Sequence, residues 1–212
     1  LIKYFYEPPY LIKKVFKEFQ WNTINNEILL TFDDGPINET TDFILTELNK
    51  NKIKAVFFCV GNNIKNNPSL CESILSERHI IGNHTFNHKK ISTLSEEDLK
   101  NELNSFNEIL INQFNYEVKY FRPPHGKFNL KSIKKIKELK LKTVMWSLLT
   151  YDFRNDFNLF KNAVNKCLKK NSIIVLHDSL KSKDIIIQSI NYLVEQIDKM
   201  NFKIGNPEEC LK

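Results

Sequence analysis

Cysteine is scarce and poorly spaced for cross-linking or metal chemistry. The four stand at positions 59, 71, 167 and 210. None forms a C-x-x-C pair, and no zinc-finger spacing occurs, so no disulfide framework and no sulfur-ligated zinc are expected. Cys59 lies inside the apolar run from Ala55 to Val60 and reads as a buried, inert thiol. A stretch of about 18 apolar residues is also missing, which excludes a membrane-spanning helix. No basic-then-apolar leader with a small-residue cleavage site is present. The chain opens at Leu1, not Met. A leader removed upstream would put the protein outside the cytoplasm or in the cell envelope; without one it would be cytoplasmic. No internal repeat or low-complexity tract stands out. Lys13-Lys14 and the stretch from Lys131 to Lys142 are basic but lack interleaved aromatics. They read as solvated helix faces, not as a nucleic-acid platform. A weak attraction to an anionic wall polymer or membrane surface stays open.

What is present suits one large domain. The chain has 212 residues, 42% of them apolar, with sixteen Phe and a net charge of +6. That is enough to bury a substantial core. Apolar runs alternate with helical patterns. Strands are expected over Ile28 to Phe32, Lys54 to Val60, Ile80 to Gly82, Tyr120 to Phe121, Lys142 to Ser147, Ser172 to Leu176 and Phe202 to Ile204. Helices are expected over Thr40 to Lys50, Pro68 to Arg78, Ser95 to Phe114, Asn129 to Leu139, Phe157 to Lys170 and Lys183 to Met200. About seven strand–helix units imply parallel strands. Candidate functional residues follow most of the strands, which favours a distorted (β/α) barrel over an open sheet. Residues 1–27 are expected as a cover packed outside, and 28–212 as the catalytic domain.

Five short segments carry the chemistry, each where an apolar run ends. They are Thr31-Phe32-Asp33-Asp34-Gly35, His84-Thr85-Phe86-Asn87-His88, Arg122-Pro123-Pro124-His125-Gly126, Trp146 to Asp152, and Leu176-His177-Asp178. His84 and His88 are four apart, so on a helical turn their rings would face one way. With Asp34 they make a two-histidine, one-carboxylate set that suits catalytic zinc and leaves positions open. Cobalt, nickel or iron would also suit it. Neighbouring Asp33 and Asp34 would divide the work, one on the metal and one as base. A bound cation lowers the pKa of water from about 15.7 to about 7–9, within reach of a carboxylate base. His177 is the candidate proton donor, with Asp152 on its second nitrogen. Arg122 is placed to hold Asp33 by a paired hydrogen bond. Taken singly, each has a plain structural reading: a turn at Asp33 to Pro36, a helix cap at Asp152, a core histidine at 177.

Together the five segments resemble the polysaccharide deacetylases, carbohydrate esterase family 4, from about Ile28 to Ile204. The resemblance implies a distorted (β/α) barrel that binds a glycan. It further implies zinc-dependent removal of acetyl groups from N-acetylglucosamine units of peptidoglycan, chitin or related polymers. It makes Asp33 the base, Asp34, His84 and His88 the metal ligands, and His177 the acid paired with Asp152. Arg122 would orient Asp33, and the backbone N–H of His125 would help stabilise the oxyanion. Trp146 and Leu176 would wall a pocket for the acetyl methyl. Two positions depart from the family pattern. His125 stands where Tyr is usual, and Leu149 where a first Asp is usual, while Asp152-Phe153 keeps the second. An acetyl-xylan-type esterase and a small-molecule amide hydrolase are alternatives on the same fold. A non-catalytic carbohydrate-binding protein would need neither Asp33 nor His177. The oligomeric state is left open.

Overall fold

The computed structural model describes residues 5–211. The first four residues, which open the expected cover, and Lys212 lie outside the described residues. Seven parallel strands form one sheet: β1 (Leu29–Asp33), β2 (Val56–Cys59), β3 (Ile80–Asn83), β4 (Tyr120–Phe121), β5 (Lys142–Thr143), β6 (Leu148–Leu149) and β7 (Ile173–His177). Their order is β5-β4-β3-β2-β1-β7-β6. Thus β5 and β6 are opposite edges, joined only by residues 144–147. A flat sheet of this size would hold its edges about 29 Å apart. The link reaches only about 17 Å. The sheet therefore curls until its edges approach, which is the distorted barrel read from the sequence.

The N-terminal segment closes the seam. Gln20 donates its N–H to Thr143 and accepts from the Met145 N–H, and Asn22 bridges to Ser172. Phe19 and Trp21 are buried with Ile133 and Met145. Part of the expected outer cover is thus barrel wall. Helix α1 (Tyr10–Val15) precedes it and buries none of its residues.

The other helices are α2 (Thr41–Lys50), α3 (Gly61–Asn66), α4 (Pro68–Ser76), α5 (Glu96–Phe114), α6 (Leu130–Glu138), α7 (Phe157–Cys167), α8 (Ile186–Lys199) and α9 (Pro207–Cys210). Ser95 caps α5 by accepting the Asp98 N–H, as its sequence suggested. Strand side chains alternate with period 2. Leu30, Phe32, Phe57, Cys59, Ile174 and Leu176 face the helices and form the main core with Ile44, Leu48, Phe106 and Ile190. Leu29, Val56, Phe58 and Ile173 face inward and meet Cys210 and Leu211, which plug the barrel floor. The remaining inward positions toward the strand ends are Thr31, Asp33, Val175 and His177. Parallel register sets Asp33 level with His177 on the neighbouring strand.

Two expected strands differ. The run from Lys142 to Ser147 is strand only at its first two residues. Val144 to Ser147 crosses the seam, bonded to Phe121, Gln20 and Ile173, and β6 begins at the opposite edge. The stretch from Phe202 to Ile204 makes a single bridge, Ile28 to Ile204, and is no strand of the sheet. α1, α3 and α9 were not anticipated; none exceeds six residues, too short for a periodic signal. The four cysteines are free, three of them buried.

Candidate active site

The mouth of the barrel gathers the predicted residues, and a buried arginine organises them. Arg122 follows β4 and has no exposed surface. Its Nη1 donates to Asp33 Oδ1 and Thr31 Oγ1, both at 2.7 Å. Nε donates to the Val144 carbonyl at 3.0 Å and Nη2 to that of Met145 at 2.8 Å. The guanidinium lies 4.1 Å from the centroid of the Phe58 ring. Phe58 in turn fills the space at Gly82, where a Cβ would come within 2.5 Å of its ring. The expected paired hydrogen bond to Asp33 is instead one contact, because the other nitrogens are taken by the crossing segment after β5.

Asp34 points elsewhere. Its Oδ1 lies 3.1 Å from His88 Nε2 and 3.7 Å from His84 Nε2. One ligand atom from each of the three residues falls within 4.8 Å of the others. Burial acts to raise the Asp34 carboxyl, but the His88 hydrogen bond and the neighbouring imidazoles outweigh it and hold it below the usual carboxylate range. His84 is buried, which lowers it to about 4 despite the two aspartates and keeps it neutral. Its Nδ1 lies 2.7 Å from the Arg122 carbonyl. A carbonyl only accepts, so Nδ1 carries the proton and Nε2 presents a lone pair toward Asp34, the arrangement typical of a metal-binding histidine.

The histidine segment is a loop, not the helical turn its spacing suggested. Thr85 and His88 have φ of 65° and 55°, and Asp34 has 81°. Such left-handed residues are strained by about 1–3 kcal/mol each and need support from around them. Asn83 Oδ1 accepts the Thr85 N–H, and Glu102 accepts the Asn87 backbone and side-chain N–H groups. Asn63 donates to the Asp34 carbonyl at 2.7 Å.

Across the cavity, His177 Nδ1 lies 2.7 Å from Asp152 Oδ1, and its backbone N–H donates to Oδ2 at 2.6 Å. Burial opposes charge on His177, but Asp152, with Asp34 and Asp33 nearby, lifts the imidazole to about 9. A cation held at Asp34 would act in the opposite sense. Asp178 follows, fully buried, accepting from the Thr40 and Thr41 hydroxyls. It ties the loop after β1 to the end of β7. Burial raises it to about 7 against those two bonds.

Asp33, Asp34, His84, His88 and His177 line a cavity of about 290 Å³ that also includes Trp146, Leu149, Phe153, Val175 and Lys181. His125, with φ of 58°, faces His88 at 4.7 Å between ring centroids. The next residue, Gly126, also has positive φ, and a Cβ there would stand 2.4 Å from Trp146. Leu176 is not in the cavity. It is one residue from His177, so alternation turns it into the outer core beside Phe32; Val175 takes the wall position instead. The sequence reading missed Val175, Glu102, Asn83 and Lys181, and gave Asp178 no role. Glu102 left a signal: it interrupts the buried stripe of Leu99, Leu103, Phe106 and Leu110 on α5.

A polysaccharide deacetylase family model matches residues 21–144. This chain belongs to that family. One peptidoglycan-N-acetylglucosamine deacetylase of Bacillus cereus is 32% identical over 197 residues, covering 91% of this chain and 92% of that protein. Another of the same name and organism is 37% identical over 128 residues, covering 60% of this chain and 46% of that protein, so the chain spans less than half of it. The crystal structure of a peptidoglycan N-acetylglucosamine deacetylase in complex with 4-naphthalen-1-yl-N-oxidanyl-benzamide is similar with a TM-score of 0.88. Identity is 26%, covering 96% of this chain and 97% of that one.

Glu102 holds the histidine loop without touching the cavity. Glu102→Ala should weaken binding of a divalent cation about 10–100-fold, measured with added zinc by competition with a chromogenic chelator. Unchanged affinity would show that the loop holds its shape unaided.

Proposed function

We propose that this polysaccharide deacetylase hydrolyses the N-acetyl groups of N-acetylglucosamine units in a glycan, with a divalent cation held by Asp34, His84 and His88. One observation carries the reading. Adjacent carboxylates are sorted into two environments, Asp33 onto a buried guanidinium and Asp34 between two imidazoles. The donor set fits a cation: one carboxylate held ionised, and a neutral His84 whose tautomer is set by the Arg122 carbonyl. Two nitrogens and one oxygen make zinc our first assignment. Bound there, the cation would supply Lewis acidity to an acetamide carbonyl and to water.

The chain's own residues do the rest. Asp33 takes the proton of the attacking water; Arg122 fixes one of its oxygens and leaves the other unclaimed by the guanidinium. The His125 backbone N–H donates toward the carbonyl oxygen as negative charge develops there. His177, held protonated by Asp152, gives its proton to the departing amine. Trp146, Leu149 and Val175 receive the acetyl methyl.

N-acetylglucosamine oligomers should lose acetyl groups by mass spectrometry, stop doing so after chelation, and resume with added zinc. Asp33→Asn should cut turnover by about 10²–10⁴-fold with zinc still bound, whereas His84→Ala should lose zinc and turnover together. Full activity in either variant, or in the chelated protein, would refute the assignment.

The pH profile tests the acid. His177 works protonated, so kcat/KM should fall as pH rises through its pKa, which Asp152 holds above the ordinary value near 6.5. Asp152→Asn removes that support, and the alkaline limb should move to lower pH by about one unit or more. A limb that stays in place would assign the proton to another group.

A further inference from the structure

Asp178 is a buried carboxylate for which the hydrolytic steps have no use. It has no exposed surface. Thr40 and Thr41 donate their hydroxyls to Oδ1 and Oδ2 at 2.5 and 2.6 Å. The carboxylates of Asp34 and Asp42 act against its charge. The N-terminus of α2, which begins at Thr41, supplies an offsetting partial positive charge. A group so placed costs stability, and such departures from plain packing are expected at functional sites.

Asp178 brackets Asp34. Its backbone N–H donates to the Asp33 carbonyl at 2.8 Å. Its carboxylate lies against Gly35, where a Cβ would stand 2.0 Å from Oδ2. Asp34, between those two contacts, has φ of 81°, a strained conformation that its surroundings must hold. The Thr41 hydroxyl that donates to Oδ2 also accepts the Ile37 N–H at 2.7 Å. The chain from Asp33 to Ile37 is thus fastened to Asp178 at both ends. Asn63, the Val60 N–H and Asn67 donate to the carbonyls of Asp34, Gly35 and Pro36. Those bonds hold carbonyls; the Ile37 N–H and the packing at Gly35 depend on Thr41 and Asp178.

We infer that Asp178 is a positioning residue that sets the direction of the Asp34 carboxylate, and with it the geometry offered to a cation. The inference rests on the reading of Asp34, His84 and His88 as the cation site. His177 precedes Asp178 in the chain, but Asp152 binds both its ring and its backbone N–H, so His177 has a support of its own.

The first arm of the test needs no metal. Asp178→Asn offers a donor to one of two hydroxyls that need an acceptor. In a crystal structure of the metal-free variant, the Asp34–His88 contact of 3.1 Å should be lost and the His84–Arg122 contact of 2.7 Å kept. Asp34 still on His88, with only the melting temperature lowered, would show a purely structural role and overturn the inference. In the second arm, zinc affinity by chelator competition should fall about 10–100-fold in Asp178→Asn. Thr41→Val keeps the charge and removes the hydroxyl that joins Asp178 to Ile37, so it should weaken zinc as well. Loss in Asp178→Asn alone would assign the effect to charge and contradict positioning, as would unchanged affinity in both. Thr41→Val also serves in the first arm should Asp178→Asn misfold. In the third, saturating zinc should restore deacetylation to Asp178→Asn; turnover still lost with zinc bound would move the role to His177. A wild-type chain that binds no zinc fails the deacetylase reading and leaves the first arm to decide this one.

Discussion

A guanidinium without exposed surface must satisfy its N–H groups inside the protein, and Arg122 does so with Asp33, Thr31 and two carbonyls of the crossing segment. That constraint couples parts far apart in the chain. It fixes β1 through Thr31 and Asp33, and the link between the sheet's two edges through Val144 and Met145. Its own carbonyl sets the tautomer of His84. One buried side chain and its peptide therefore address Asp33, His84 and the closure of the barrel. Losing the side chain would leave Asp33 buried without its partner, a change that typically costs about 3–5 kcal/mol.

The opposite side of the cavity uses charge differently. Asp33, Asp34 and Asp152 surround His177, and their combined field overcomes the cost of burying a cation there. His84, more deeply enclosed, is driven neutral because burial dominates and its Nδ1 already donates to a carbonyl. The two imidazoles thus reach opposite protonation states through their partners: one suited to donate a proton, the other to donate a lone pair.

Much of this was legible in the sequence because strand ends punctuated by Asp-Asp-Gly-Pro, Arg-Pro-Pro and Leu-His mark the barrel mouth. The apolar runs located six of the seven strands, with β5 drawn too long. Only β6 was hidden, since it has two residues and the run before it looked continuous. The wall position was assigned to Leu176 because an apolar residue beside His177 looks like lining, although alternation sends neighbours to opposite faces. The histidine spacing suggested a helix. The actual loop depends on Asn83, two residues before Thr85, and on Glu102, fifteen residues beyond Asn87, whose partner no local pattern reveals. Seam closure by Gln20 is likewise a long-range pairing without a periodic signature.

The central claim is that Arg122 keeps Asp33 off the metal and leaves coordination to Asp34. Anomalous diffraction at the zinc edge, on crystals grown with zinc, tests it directly. One peak should lie about 2.0–2.2 Å from an Asp34 oxygen and from Nε2 of His84 and His88, with Asp33 still on Arg122. A peak coordinated by Asp33, or one bound through a reversed His84 ring, would contradict the account.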